Sequence, residues 1–225
     1  MKFKNIKNLI EKIYYQYFPN YIKELAKALS DCQSVIDLGC GSNSPIKIVK
    51  KLFPHKFYSL GIDIHQPSLI ESKKQKIHDR YYQMDVMDIG KHFGNKSFDC
   101  VLASDLSEHL KKSDGLKLIK LMEKIAAKKI IILTPNGFLA QKNAYGNPWQ
   151  THRSGYQIKE MQNLGFEVFG INGWKKLKGV RYYVTLRPKY FWLFIATCSQ
   201  PFVRLNPQKA FSLFCIKNIA KKVKK

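Results

Sequence analysis

A chain of 225 residues, 45% of them hydrophobic, has room for one domain with a sizeable core and some additions. Its 39 Lys and Arg against 16 Asp and Glu give a formal charge of +23, which attracts phosphates and keeps nucleic acid and anionic membrane among the candidate partners. The five cysteines, Cys32, Cys40, Cys100, Cys198 and Cys215, form no C-x-x-C pair, which excludes a disulfide scaffold and a structural zinc site and points to a reducing compartment. The charge is carried mainly by lysine along the whole length, with arginine only at Arg80, Arg153, Arg181, Arg187 and Arg204. Lysine with abundant Ile and Asn is also what an AT-rich coding sequence produces, so the charge bears on association and not on fold. The amino terminus, MKFKNIKNLIEKIYYQYF, mixes lysines among its apolar residues and shows no h-region or cleavage site. No signal peptide is expected, and the reading is cytoplasmic.

Helical spacing of Ile6, Leu9, Ile10, Ile13, Tyr14 and Tyr17 predicts a helix over about 4–18, stopped by Pro19. A second, from Tyr21 to Leu29, leads into VIDLGCGSN, residues 35–43. There an apolar strand ends in an acid and breaks into a turn with two glycines, whose freedom lets backbone N–H groups approach a ligand. A dinucleotide fingerprint would require a third glycine where Ser44 stands, and it would not set Asp37 beside a pyrophosphate. A nicotinamide-dependent reductase is disfavoured on those grounds. A ligand with a ribose, an adenine and a cationic or zwitterionic tail suits these residues better, because Asp37 can face positive charge. The pattern of acid, apolar residue, Gly, any residue, Gly resembles the first motif of the class I S-adenosylmethionine-dependent methyltransferases. That resemblance implies the cofactor S-adenosylmethionine, with Asp37, Gly39, Cys40 and Gly41 around it; Cys40 reads otherwise as a small filler, not a nucleophile.

Ser44 and Pro45 predict a helix start, with Ile46, Ile48, Val49 and Leu52 inside the helix. The next strand, in FYSLGIDIH, ends at Asp63, 22 residues beyond Gly41. At that spacing an acid on the second strand of a Rossmann-like unit meets ribose hydroxyls, and its two oxygens can accept from both; Ile64 follows it at the same edge. A third strand over 80–84 precedes DVMDIG. The family resemblance gives Asp85 the adenine amino group and Val86 the backbone N–H to the ring, with Asp88 sharing that role or capping a turn. The fourth strand, Phe98 to Ala103, places Ser104, Asp105, Glu108 and His109 just beyond its carboxyl end, where open α/β sheets bind ligands. ASDLSEHL resembles the family's fourth motif with its frequent Glu-His pair.

A helix over 115–126 and a fifth strand in KKIIILTPNG complete the alternation. Residues 137–155 hold Gly, Asn, Pro, Trp149, His152 and Arg153 without periodicity, which reads as a functional loop walling the acceptor side. YQIKEMQNLGFEVFGING predicts a helix, a glycine stop and a sixth strand, and VRYYVTL over 180–186 a seventh. The expected fold is α/β: a Rossmann-like, seven-stranded, mostly parallel sheet with an antiparallel last strand and helices on both faces. Three regions follow: helices over 1–32, the methyltransferase domain over 33–186, and an aromatic, Lys-rich helical tail over 187–225. Within that tail YFWLFIATC is too short to span a bilayer, which takes about twenty apolar residues. Its aromatics and lysines suit either a helical cover on the sheet or a peripheral contact with an anionic inner membrane face.

The resemblance implies an activated methyl on the cofactor, so the protein has mainly to align an acceptor atom and exclude water. An alcohol acceptor would also need a base, for which His109 and His152, then Asp105, are placed. The expected acceptor is a small molecule, a lipid-linked one or a glycan, and no metal is required. An alternative is a metal site of Asp105, Glu108, His109 and His152, which loosely resembles that of small-RNA 3′-terminal 2′-O-methyltransferases. Those enzymes carry Glu at the first position and a second His near the last, unlike Asp105 and the lone His152 here. Nucleic acid is therefore not the favoured partner. From another class, the fold could serve as a non-catalytic binding module at a membrane or partner protein; the intact Asp37, Gly39, Gly41, Asp63 and Asp85 argue against it.

Overall fold

The computed structural model describes residues 21–142, 147–178, 184 and 186–219. The helix expected over 4–18 lies outside them. At the centre is β1 (Ser34–Leu38), whose Val35, Ile36, Asp37 and Leu38 are all buried, as a strand covered on both faces must be. It pairs in parallel with β2 (Tyr58–Asp63) on one side and β4 (Phe98–Ser104) on the other, so Asp37 stands between Gly61 and Leu102. With β3 (Arg80–Gln83), β5 (Ala126–Pro135), β6 (Glu167–Trp174) and β7 (Ala210–Asn218), the sheet runs β3-β2-β1-β4-β5-β7-β6. β7 is antiparallel to both of its neighbours.

Side chains alternate along these strands and build two apolar layers. Ile36, Leu38, Val101, Ala103, Ile130 and Ile132 share one layer with α5 (Lys112–Ile125) through Leu118, Ile119 and Met122. Val35, Cys100, Leu102, Ile131 and Leu133 face the other, closed by α1 (Tyr21–Ala28) through Ile22 and Leu25 and by α2 (Ile46–Leu52) through Ile46 and Val49. α1 therefore packs on the sheet by its apolar face. The remaining helices are α3 (Gln66–Lys74), α4 (Ile89–His92), α6 (Ile158–Asn163), α7 (Lys189–Cys198) and α8 (Gln200–Leu205).

Two expectations are corrected. The seventh strand is Ala210–Asn218, not 180–186, of which only Val184 and Leu186 fall among the described residues. The segment expected as a helical tail thus supplies two helices and then the strand that fills the gap between β5 and β6, so the sheet does not end at residue 186. The cause is pairing: β7 bonds along both edges, and those two ladders outweigh local alternation elsewhere. A smaller shift is that α5 starts three residues earlier than expected.

Strand order reverses between β1 and β4, and there the loops after the two strands part to opposite faces and leave a crevice at their carboxyl ends. The glycine turn after β1 and Asp105 after β4 flank it.

Candidate active site

Gly39 and Gly41 have φ of +65° and +55°, which a side chain tolerates poorly. A Cβ at Gly39 would stand 2.7 Å from Leu106 Cδ1, whereas one at Gly41 would meet nothing within 4 Å because that position opens onto the crevice. Asp63, at the end of β2, holds the turn: its Oδ2 accepts from Gly41 N at 2.8 Å and its Oδ1 from His65 N at 2.7 Å.

Beneath the turn Asp37 is buried, accepting a short hydrogen bond from Ser44 Oγ on the same oxygen that lies 3.5 Å from His78 Nε2. Its other oxygen, Oδ1, has no hydrogen-bond partner. Burial raises the Asp37 pKa from its ordinary 3.8 to about 7, the Ser44 hydroxyl opposing and the charge of Asp63 adding to the rise. Burial, helped by Lys50, lowers His78 to about 4. The contact between them therefore joins a carboxyl that titrates near neutrality to a neutral imidazole, and it is no ion pair at pH 7. The two groups act oppositely on stability. The raised Asp37 favours the folded chain fully below about pH 4, and that favour is lost as pH rises through 7; the depressed His78 contributes above about pH 6.5 and its contribution is lost as pH falls through 4. Asp37→Asn, which leaves no carboxylate to bury, is expected to gain stability relative to the parent between about pH 5 and pH 8, read from urea midpoints at both values. An unchanged gap would show that Asp37 ionises freely.

Two cavities, of about 350 and 330 Å³, open from the crevice, each within the range of roughly 300–1,000 Å³ usual for small-molecule sites. Gly39, Gly41, Asp105, His109 and Gln150 border both, so the cavities meet over the glycine turn. The first is lined by Asp63, Ile64, Asp85 and Val86. Asp85 caps the turn Val86–Asp88 by accepting from Met87 N at 2.9 Å, and Val86 is buried behind it. Asp88 points away, paired with Lys91 at 2.6 Å. The second cavity is lined by Asp37, Cys40, Ser104, Glu108 and His152, with Tyr21 of α1 at its rim. Cys40 is buried and its thiol is pushed up by burial, in keeping with a filler.

On the far wall the chain leaves β4 through Asp105, an exposed residue at φ +50° whose N–H donates to Leu133 O. The following turn, Ser107–His109, carries Glu108 inward, where its Oε2 accepts from Thr134 Oγ1 at 3.2 Å and Ser107 Oγ at 3.4 Å. Burial, with the charge of Asp105, holds this carboxyl well above the usual range. Its carbonyl accepts from both Arg153 N and Ser154 N, which fastens the loop after β5 to the loop after β4. That junction brings His152 against His109, ring centroids 4.8 Å apart and edge to face. His109 Nδ1 faces Thr151 O at 3.3 Å and His152 Nδ1 faces Leu139 O at 2.6 Å. A carbonyl only accepts, so His152 Nδ1 carries the proton and its Nε2 a lone pair, whereas the His109 ring bonds the backbone of Asp105 as well as Thr151 O. Burial and the neighbouring His152 lower His109 to about 4, and burial lowers His152 as well. One ligand atom each from Glu108, His109 and His152 fall within 4.8 Å of one another. Asp105 does not belong to this group.

Apart from Asp88, the sequence-derived site residues thus border the crevice or lie directly beneath it. Sequence reasoning missed Ser44 and His78 as partners of Asp37, and Gln141, Asn147 and Gln150 as lining. Residue type and place in the 137–155 loop signalled the last three weakly; nothing in spacing signals His78, 41 residues from Asp37. The residues present fit a ligand with a ribose and a charged tail: a pair of carboxylate oxygens at Asp63, a buried oxygen of Asp37 without a partner, and open space before Gly41.

Residues 36–139 match the family described as a methyltransferase domain. No curated protein matches the sequence. Among solved structures, the chain is similar to a SAM-dependent methyltransferase from Archaeoglobus fulgidus, at 18% identity and a TM-score of 0.55 over 92% of this chain and 98% of that one. It is also similar to a chain from the complex of the Haloferax volcanii Trm112 methyltransferase activator with a methyltransferase, at 12% identity and a TM-score of 0.57 over 97% and 94%. A third is magnesium protoporphyrin IX methyltransferase from Synechocystis with bound S-adenosylhomocysteine, at 14% identity and a TM-score of 0.52 over 89% and 82%. These likenesses carry the fold, and the family match, over under half of the chain, spans the glycine turn and the ends of β2, β4 and β5: in that segment the chain is similar to the S-adenosylmethionine-dependent methyltransferases.

Proposed function

We propose that the chain methylates a hydroxyl group on a small or lipid-linked acceptor bound in the second cavity. The observation that carries this reading is the pair of imidazoles, His109 and His152, set edge to face beside the glycine turn and both lowered by burial, so that neither is charged at neutral pH. In it Asp63 accepts from the ribose hydroxyls, Asp85 and Val86 meet the adenine, and Ile64 packs beside them. Gly39, Cys40 and Gly41 admit the aminoacyl tail, with Asp37 and Ser104 close by. Bound S-adenosylmethionine supplies an activated methyl on a sulfonium. An amine would need little besides alignment, but a hydroxyl must lose its proton as it attacks, and His109 takes that proton, with His152 and the exposed Asp105 as the other acceptors. Because burial keeps His109 unprotonated down to about pH 4, the base is ready throughout the neutral range. The wall formed by Gln141, Gln150 and His152 keeps water from the reacting atoms.

A second reading has one observation in its favour. Glu108, His109 and His152 offer the mixed carboxylate and imidazole set that holds divalent ions, and the backbone carbonyls on the two Nδ1 atoms orient the rings as outer partners of metal ligands do. The proposal is tested by following label from methyl-labelled S-adenosylmethionine into hydroxylated small molecules and extracted lipids, with chelator and with added divalent ions. His109→Gln is expected to bind the cofactor unchanged and to lose about 100-fold or more of the transfer rate. Transfer that chelator abolishes and Mg²⁺ or Zn²⁺ restores would move the role to the metal. Undiminished transfer by the variant would overturn both.

A further inference from the structure

We infer that α7 and α8 form a docking face for an anionic lipid bilayer. α7 is Lys189–Cys198, KYFWLFIATC, and it turns most of its large apolar residues outward: Tyr190 is 85% exposed and Phe194 58%, with Phe191 and Leu193 beside them. Leu205 at 76% and Phe202 extend the patch from α8, and Leu186 extends it from the other end. Soluble surfaces seldom gather this much aromatic area in one place without a partner for it.

The face is held firmly. Gln200, at the corner between the helices, accepts from Gly173 N at 3.1 Å and donates to Gly170 O at 3.0 Å, and Ser199 Oγ accepts from Trp174 N. Ala196 and Val203 are buried against the sheet. Trp192, half-buried, donates from Nε1 to Arg187 O, which leaves Tyr190, Phe191, Leu193 and Phe194 on the outside.

Charge identifies the occupant. From residue 168 to residue 225 the sequence has no Asp or Glu and 13 Lys or Arg. Exposed Arg187, Lys189 and Lys209 border the patch. Glu24 of α1, which reaches α8, is paired with Arg204 at 2.7 Å, and apolar side chains bordered by cations suit the headgroup boundary of a membrane with anionic lipid. A second copy of the chain would bring the same cations, and a formal +23 with them, against this surface. No helix among the described residues is long and apolar enough to cross a membrane, so α7 would lie in the plane of the interface.

The face adjoins the acceptor side. Asn136 donates to Pro207 O and Ala210 O just after α8, and its neighbour Pro135 lines the second cavity. Docking thus sets that cavity beside the lipid surface, although it stands independently of the transfer chemistry.

The test is co-sedimentation of the full chain with vesicles of phosphatidylcholine alone and with about one third phosphatidylglycerol, at low and high salt. The expected result is pelleting that is at least about tenfold stronger on the anionic vesicles, weakened by salt, and lost in Phe191→Ser/Phe194→Ser at an unchanged melting temperature and unchanged cofactor affinity. Equal pelleting of parent and variant would overturn the inference. So would a concentration-dependent dimer, seen by sedimentation velocity, that the double substitution dissolves.

Discussion

Asp63→Ala is expected to weaken S-adenosylmethionine binding by about 100-fold or more while leaving the melting temperature within a few degrees of the parent. Two losses combine. In the proposed pocket the carboxylate accepts from the ribose, and a hydrogen bond to a charged group contributes about 1.5–3 kcal/mol. The same carboxylate fixes Gly41 N and His65 N, so without it the glycine turn and the start of α3 lose their shared anchor. Asp63 is only half-buried, and water can satisfy those N–H groups in the unbound protein, which is why the fold tolerates the change. Asp63→Asn keeps one accepting oxygen and should fall between the two. Calorimetric titration with S-adenosylmethionine and S-adenosylhomocysteine decides it, and parent-like affinity in the alanine variant would remove Asp63 from the pocket.

Gly170→Ala, by contrast, should strike stability and not the site. A Cβ there would stand 2.0 Å from the carbonyl oxygen of Val203 and 2.6 Å from Ala210 Cβ. The first of these is backbone, and it cannot turn aside as a side chain would. Separating α8 from β6 to make room also breaks the Gln200 bond to Gly170 O. A cost of about 3 kcal/mol or more is expected, at the upper end for overpacking, or a fall of roughly 6–12 °C in melting temperature for a domain of this size. Scanning calorimetry measures it; a fall under about 2 °C would mean that α8 yields more easily than its bonding implies.

Much of the molecule was legible because its strands are short apolar runs that end at punctuation. Val35 to Gly41 announces a buried strand, an acid and a turn together, and Asp63 stands at the register that the turn requires. Residues such as Ser104, Asp105 and His109 needed only the rule that ligands collect at carboxyl ends of parallel strands. β7 was not legible in the same way. Residues 180–186 alternate, whereas 210–218 are a nearly continuous apolar run, and what makes the second a strand is a pair of ladders to strands that are remote in sequence. α3 gives a weak pattern because only Leu69 and Ser72 of its nine residues are buried. The contact of His78 with Asp37 is made across two strands, and the fastening of the 137–155 loop is a matter of backbone atoms at Glu108, Arg153 and Ser154. Neither leaves a trace in residue spacing.

The position of β7 also orders events in time. Among the described residues β6 pairs with β7 alone, and β5 has β4 on one side and β7 on the other. A ribosome finishing β6 at Trp174 has 44 residues still to add before Asn218, and at about 5–20 residues per second that interval lasts roughly 2–9 s. For those seconds the nascent chain holds a completed cofactor half and a lone strand, with the edge of β5 open to any other extended segment. The two aromatic helices, which in the finished structure pack on β6, lie in the same stretch of chain and are added within the same interval.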